Sequence, residues 1–122
     1  MRIIAFDLIT VRLPLVSPFT TSFSTQTERT PLLVRLTAEH DGRQVIGWGE
    51  CVALVDPVYS PEFLDGARTV LERYLIPRLF DWQESGRAVT AETVATALHH
   101  IVGHRMAKAA LEMAVLDAQL RA

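Results

Sequence analysis

The hydrophobic period of this chain changes near residue 60, and that change limits the folds open to it. Up to Val52, apolar residues recur at alternate positions; from Phe63 onward they recur three and four apart. The first spacing suits strands with one buried face, the second amphipathic helices. Strands followed by helices read as α+β, here a three-stranded antiparallel meander followed by a helical bundle. No repeat, linker or low-complexity stretch divides it, so residues 1–122 read as one domain, long enough to bury a core.

Pro31–His40 is the clearest strand, with Leu32, Val34, Leu36 and Ala38 on one face and Leu33, Arg35, Thr37 and Glu39 on the other. Asp41-Gly42 marks a hairpin turn, because glycine accepts positive φ, so Gln44–Val52 returns antiparallel. Ile3–Val16 is the remaining strand, with Ile4, Phe6 and Leu8 alternating against Ala5, Asp7 and Ile9. Pro14 and Pro18 fray its end, since proline donates no ladder bond. Between these strands lies Ser17–Thr27, hydroxyl-rich and uncharged, which reads as neither strand, helix nor tight turn. It exceeds the two to five residues usual for a hairpin loop. It also carries two large rings, Phe19 and Phe23. Such a loop either closes over something or tucks its rings against the sheet.

Ser60-Pro61-Glu62 reads as a helix start, with an acceptor, a first-turn proline and an acid near the positive dipole end. Phe63, Ala67, Val70, Leu71 and Tyr74 follow at helical spacing, and Pro77 ends or breaks that helix. Asp81–Ala88 reads as a connection. Thr90 caps a helix running to about Val102, and Gly103 separates it from a last helix, His104–Ala122. There Met106, Ala109, Ala110, Met113, Leu116 and Leu120 read as the apolar stripe, and alanines 107, 109, 110, 114 and 118 permit close packing. No C-cap glycine or following proline stops this helix, as expected of a truncated chain or isolated domain.

The formal net charge of −2 and scattered basic residues give no electrostatic case for nucleic acid. No apolar run approaches the ~20 residues of a membrane span, and Asp7 interrupts any signal-peptide core. Cys51 is the only cysteine, which excludes an intrachain disulfide and makes a reducing cytoplasm the simplest home. His100 and His104 have a zinc-binding spacing on a continuous helix, but Gly103 intervenes and the zincin glutamate is missing. Glu112 and Asp117, five apart, do not share a helix face. Cys51 lacks an evident base and reads as a small core residue. Gly47-Trp48-Gly49-Glu50 lacks phosphate-loop spacing; its alternate glycines instead indicate something packed close to a strand backbone. These residues assemble no nucleophile–base set, metal cluster or cofactor cradle.

Several segments nevertheless occur in a familiar order. They are Pro14-Leu15-Val16-Ser17-Pro18-Phe19, Thr21-Ser22-Phe23, Gly47-Trp48-Gly49-Glu50-Cys51, Tyr59-Ser60 and His104 through Ala114. Together they resemble the N-terminal capping domain of enolase-superfamily enzymes in the muconate-lactonizing subgroup. Within it they are most similar to the o-succinylbenzoate synthase and N-acylamino acid racemase branch. The resemblance implies a cap over a (β/α) barrel that supplies lysine acid/bases and Mg²⁺ ligands. A proton α to a carboxylate is removed from a small carboxylate substrate there. The outcome is dehydration to o-succinylbenzoate, in menaquinone biosynthesis, or racemisation. It also implies a homo-oligomeric complete enzyme.

The barrel, of ~200 or more residues, is not in this sequence, and Lys108 is the only lysine. What carries over is therefore specificity without catalytic residues or metal ligands, and the chain alone is expected to be inactive. By resemblance, Phe19 and Phe23 belong to the first cap loop and line the substrate pocket, with Thr20 and Ser22 beside them. Leu54 matches the apolar residue of the second cap loop; Trp48 and Glu50 read as structural. Ser17–Thr27 is expected to be mobile without a barrel beneath it. Two other expectations compete: a free-standing binding or assembly module, and a membrane-surface helix at His104–Ala122, which lacks a basic face.

Overall fold

A computed structural model describes residues Met1–Ala122. Three strands form the main antiparallel sheet in the order β1-β4-β5: β1 (Arg2–Thr10), β4 (Leu32–His40) and β5 (Arg43–Cys51). Asp41 (φ 51°) and Gly42 (φ 74°) make the β4–β5 turn, whose register runs from His40↔Arg43 to Leu32↔Cys51. Leu32, Val34, Leu36 and Ala38 are fully buried, which confirms the inward face read from the sequence.

The first strand differs from its sequence reading. It stops at Thr10, and its register slips between Ile3 and Ala5. Ile4 therefore turns outward and Ile3 becomes the buried residue, a bulge that alternation alone does not reveal. Farther along, Phe6 meets Phe80 edge to face, with centroids 6.0 Å apart.

The segment read as a structureless loop is a second, two-stranded sheet. β2 (Leu13–Thr20) pairs with β3 (Thr25–Arg29) as an antiparallel ribbon closed by Thr21–Ser24. Thr21 donates its amide to the Ser24 carbonyl at 2.8 Å, and Thr20 and Thr25 hydroxyls meet across the strands. The sequence hides this ribbon because neither face is buried deeply enough to impose alternation, and its register is irregular between Pro14 and Phe19.

Four helices follow: α1 (Leu64–Val70), α2 (Ile76–Glu84), α3 (Ala91–Leu98) and α4 (Arg105–Arg121). Pro77 does not end the first. A π-helical stretch, Leu71–Leu75, joins α1 to α2, and the helix runs on to Glu84 instead of yielding to a connection at Asp81. Widening the turn ahead of a proline accommodates a ring that cannot donate and would clash with the carbonyl four residues back. Thr90 is the N-cap of α3 as expected, and its amide donates to Thr93 Oγ1 at 2.9 Å, but the helix stops at Leu98 rather than Val102.

α4 lies directly on β5. A Cβ on Gly49 would stand 1.9 Å from the Ala110 carbonyl oxygen, and one on Gly47 2.1 Å from that of Ala114. Alternate glycines thus let helix backbone touch strand backbone, the close approach expected of them. The buried face of α4 is Ala107, Ala110, Leu111, Ala114, Val115 and Ala118. This corrects the expected stripe: Met113, Leu116 and Leu120 point to solvent, and only Ala110 of that set is buried. The larger side chains suggested the wrong face, because close backbone packing selects small residues.

Polar side chains close the exposed ends of this assembly. The Gln83 carboxamide accepts from Ile3 N at 2.7 Å and donates to Ile3 O at 3.1 Å, pairing with outer strand β1 as a peptide group would. On the opposite edge, Trp48 N donates to Asp117 Oδ2 at 2.9 Å. Glu62, expected to start its own helix, serves another. α1 begins at Leu64, while Glu62 accepts from Met106 N (2.9 Å) and Ala107 N (3.3 Å) at the N-terminus of α4. α4 has no side-chain cap of its own, and His104 enters it at φ 55°, so this carboxylate takes the orphan amides and faces the positive end of the dipole.

Candidate functional site

Two segments meet at one end of the sheet. One is the β2–β3 ribbon; the other is the connection from Val52 to Phe63 that leaves β5. Between them lies an open cleft of about 270 Å³. The ribbon wall runs from Ser24 to Thr30 and the opposing wall from Ala53 to Val58, including Leu54. Side chains bridge the walls at both ends. At the ribbon tip Phe23 packs against Tyr59, with centroids 6.1 Å apart and planes inclined by 35°. At its root Arg29 Nη2 donates to Glu50 Oε1 at 3.3 Å.

The five residues singled out from the sequence do not share one cavity. Leu54 lines the cleft, and Phe23 lies at its tip. Phe19 pairs with Gln26 across the ribbon and lines a separate hollow of about 310 Å³ with Leu15, Val16 and Pro18. Thr20 is tied to Thr25 at 3.2 Å, and Ser22 is exposed in the turn. Phe19 is 61% exposed and Phe23 47%. The alternative in which the rings tuck against the sheet therefore does not describe them. Tyr59 went unrecognised as a site residue; its place two residues after Pro57 in a polar turn carried no periodic signal. Ser24, at the start of the ribbon wall, has its Oγ buried without a hydrogen-bond partner in the protein.

The remaining sequence candidates resolve into structural roles. His100 and His104 do not share a helix, because α3 ends at Leu98 and α4 begins at Arg105; His99 and His100 stack at 4.0 Å instead. Asp117 is engaged with Trp48 N and, at 3.0 Å, Arg121 Nε. Cys51 is buried in the core, where desolvation pushes its thiol pKa above the ordinary 9.0, assisted by the charges of Glu62 and Glu50 and only partly opposed by a backbone hydrogen bond at Ala53. A nucleophile needs the opposite shift. No three His, Cys, Asp or Glu side chains converge as a cation site requires. The residues present thus offer no ligand set for Mg²⁺. No helix is long and apolar enough to cross a membrane.

This architecture defines an α+β domain of the enolase N-terminal type. The family of the mandelate racemase / muconate lactonizing enzyme N-terminal domain matches residues 4–122, and the chain belongs to it. It is 48% identical to an N-succinylamino acid racemase of Amycolatopsis over 122 residues, all of this chain and 31% of that one. To an o-succinylbenzoate synthase of Enterococcus faecalis it is 37% identical, over 96% of this chain and 30% of the relative. Among solved structures, an enolase-superfamily member from Listeria innocua superposes with TM-score 0.84 at 32% identity, over 98% of this chain and 30% of that one. The muconate lactonizing enzyme of Pseudomonas fluorescens, bound to muconolactone, gives 0.81 at 25% identity, over 97% and 30%. The chain spans about 30% of the length of the curated relatives it matches.

Proposed function

We propose that residues 1–122 form the substrate-specificity cap of an enzyme that removes a proton α to a carboxylate, in the manner of N-acylamino acid racemases and o-succinylbenzoate synthases. The observation that carries this is the cleft between ribbon and connection, with Phe23 and Tyr59, which adjoin its lining residues Ser24 and Val58, packed against each other and both rings left substantially exposed. Exposed aromatic rings on a projecting ribbon suit a wall that closes on an apolar part of a small ligand. The charge that develops on the α-carbon needs fixed cations in a dry site. In this proposal a C-terminal barrel supplies the lysine bases and Mg²⁺, and the cap supplies shape and water exclusion. The substrate is a small carboxylate bearing an acyl or aryl group, and the complete enzyme is a cytoplasmic homo-oligomer. The names of the matched racemase and synthase support both outcomes of this chemistry.

The test compares the 122-residue chain with the longer protein encoded by an extended reading frame. With Mg²⁺ and N-succinylamino acids or the o-succinylbenzoate precursor, the longer protein turns over and the chain alone does not. Turnover by the chain alone, or none by the longer protein on either substrate, overturns the proposal.

A second reading, a free-standing module covered by a protein partner, rests on the apolar side chains of α4 that face solvent: Met113, Leu116 and Leu120. A monodisperse, ANS-silent chain would favour independence, whereas aggregation with ANS binding fits a domain lacking its companion.

A further inference from the structure

We propose that Arg29 and Glu50 form a positioning latch that sets the ribbon over the cleft, so that the two walls are referenced to each other through one ion pair. The pair joins different parts of the fold. Arg29 is the last residue of β3, at the ribbon root; Glu50 lies on β5, one residue before its end at Cys51, where the chain enters the opposing wall. The ribbon pairs only with itself and shares no ladder with the main sheet. Its attachment is therefore a narrow neck, closed by Val11 N donating to Pro31 O at 3.2 Å, plus the side-chain links at Arg29 and Phe23.

Arg29 also lines both the cleft and the hollow behind the ribbon. The hollow is lined by ribbon residues alone, whereas the cleft has the ribbon on one side and Ala53–Val58 on the other, so rotation of the ribbon about its neck changes the cleft. Glu50 faces Leu33 of β4 across the ladder, and its ion-pair partner is Arg29 of the ribbon. The side chains are 32% and 45% exposed, which makes the latch salt-sensitive and reversible. The role assigned to Arg29 and Glu50 is positional: they act through the placement of Phe23 and the cleft wall.

The functional meaning of the latch rests on the proposed cap role, but its existence does not, and the experiment separates the two. Amide hydrogen exchange is measured on the 122-residue chain for wild type, Arg29→Ala, Glu50→Gln and the reversed pair Arg29→Glu/Glu50→Arg. At low salt each single variant is expected to speed exchange of ribbon amides by about two- to fivefold while β4 amides keep their rates. The reversed pair restores the ribbon, and about 0.5 M salt abolishes the difference between variants. Unchanged ribbon exchange, an equal rise in β4, or failure of the reversed pair to restore it overturns the latch. In the longer enzyme the same variants are then expected to raise KM with kcat kept. A latch confirmed by exchange but silent in KM leaves the pair intact and removes the specificity role.

Discussion

The Cβ that Gly49 lacks would stand 1.9 Å from the carbonyl oxygen of Ala110, closer than any carbon can approach an oxygen without a bond. The atom in the way is helix backbone, which cannot swing aside. Gly49→Ala is therefore expected to force α4 off the sheet and to destabilise the chain by at least about 3 kcal/mol. Gly47→Ala, at 2.1 Å from the Ala114 carbonyl, behaves alike. Gly42→Ala, where nothing lies within 4 Å and only a positive φ is at stake, is expected to lose about 1 kcal/mol. Urea unfolding of the three variants checks the ranking. Equal effects would mean that the close approach is not what holds α4.

Glu62 is the second point at which α4 depends on a distant residue. Its carboxylate accepts the amides of Met106 and Ala107, which have no other cap. Glu62→Ala is expected to lower stability by about 2 kcal/mol and Glu62→Gln by about half that, because the amide keeps an acceptor but loses the charge. Helix α1, which starts at Leu64 beyond Glu62, should stay formed. Chemical shifts of residues 105–108 locate the effect; a change confined to α1 would argue against the cap.

Burial raises the pKa of Cys51 above 9.0, so the folded state holds the thiol neutral at a pH where the unfolded chain already ionises. The sign follows: this contribution is fully present below pH 9 and is lost as pH rises toward the folded-state value. Stability of wild type relative to Cys51→Ala should hence be constant from pH 6 to 8 and fall above about 9. Urea midpoints at each pH read it out. A difference that grows with pH would mean a stabilised thiolate.

Phe23 and Tyr59 touch at a surface, each substantially exposed. Phe23→Ala and Tyr59→Ala should therefore change stability of the isolated chain by only about 0.5–1 kcal/mol. If the cap role holds, the same substitutions in the longer enzyme raise KM about tenfold, the loss of ~1.4 kcal/mol of ligand contact. Phe19→Ala, on the separate hollow, is expected to act independently of Phe23→Ala. Unaltered KM in all three would reduce the rings to surface packing.

Legibility in the sequence followed burial. β4 and β5 were readable because one face is fully enclosed and alternation is enforced, and Gly47 and Gly49 announced a close neighbour before α4 was in view. The ribbon was not readable, since its strands have solvent on both sides and no period to keep. On α4 the large residues Met113, Leu116 and Leu120 suggest a face that turns outward, whereas Ala107, Ala110, Ala114 and Ala118, which the sequence marks for close packing, lie inside because backbones touch there. Glu62 was seen as a dipole partner, but only the tertiary fold says whose dipole. Of the site, Phe23 and Leu54 are on or beside the cleft, whereas the Phe23–Tyr59 contact and the Arg29–Glu50 link join chain segments 21 or more positions apart, and no local period announces either.

A three-stranded sheet has two open flanks, and each is a template on which further chains can add. Here one flank ends in the Gln83 carboxamide mated to Ile3, and the other is interrupted by Asp117 on the Trp48 amide. A stray strand arriving at either flank finds a hydrogen-bonding position already taken, by a side chain that is tethered and therefore always present. The chain thus carries its own terminators against fibrous growth, and Gln83→Ala should shorten the lag before thioflavin-positive assembly even where the native fold survives.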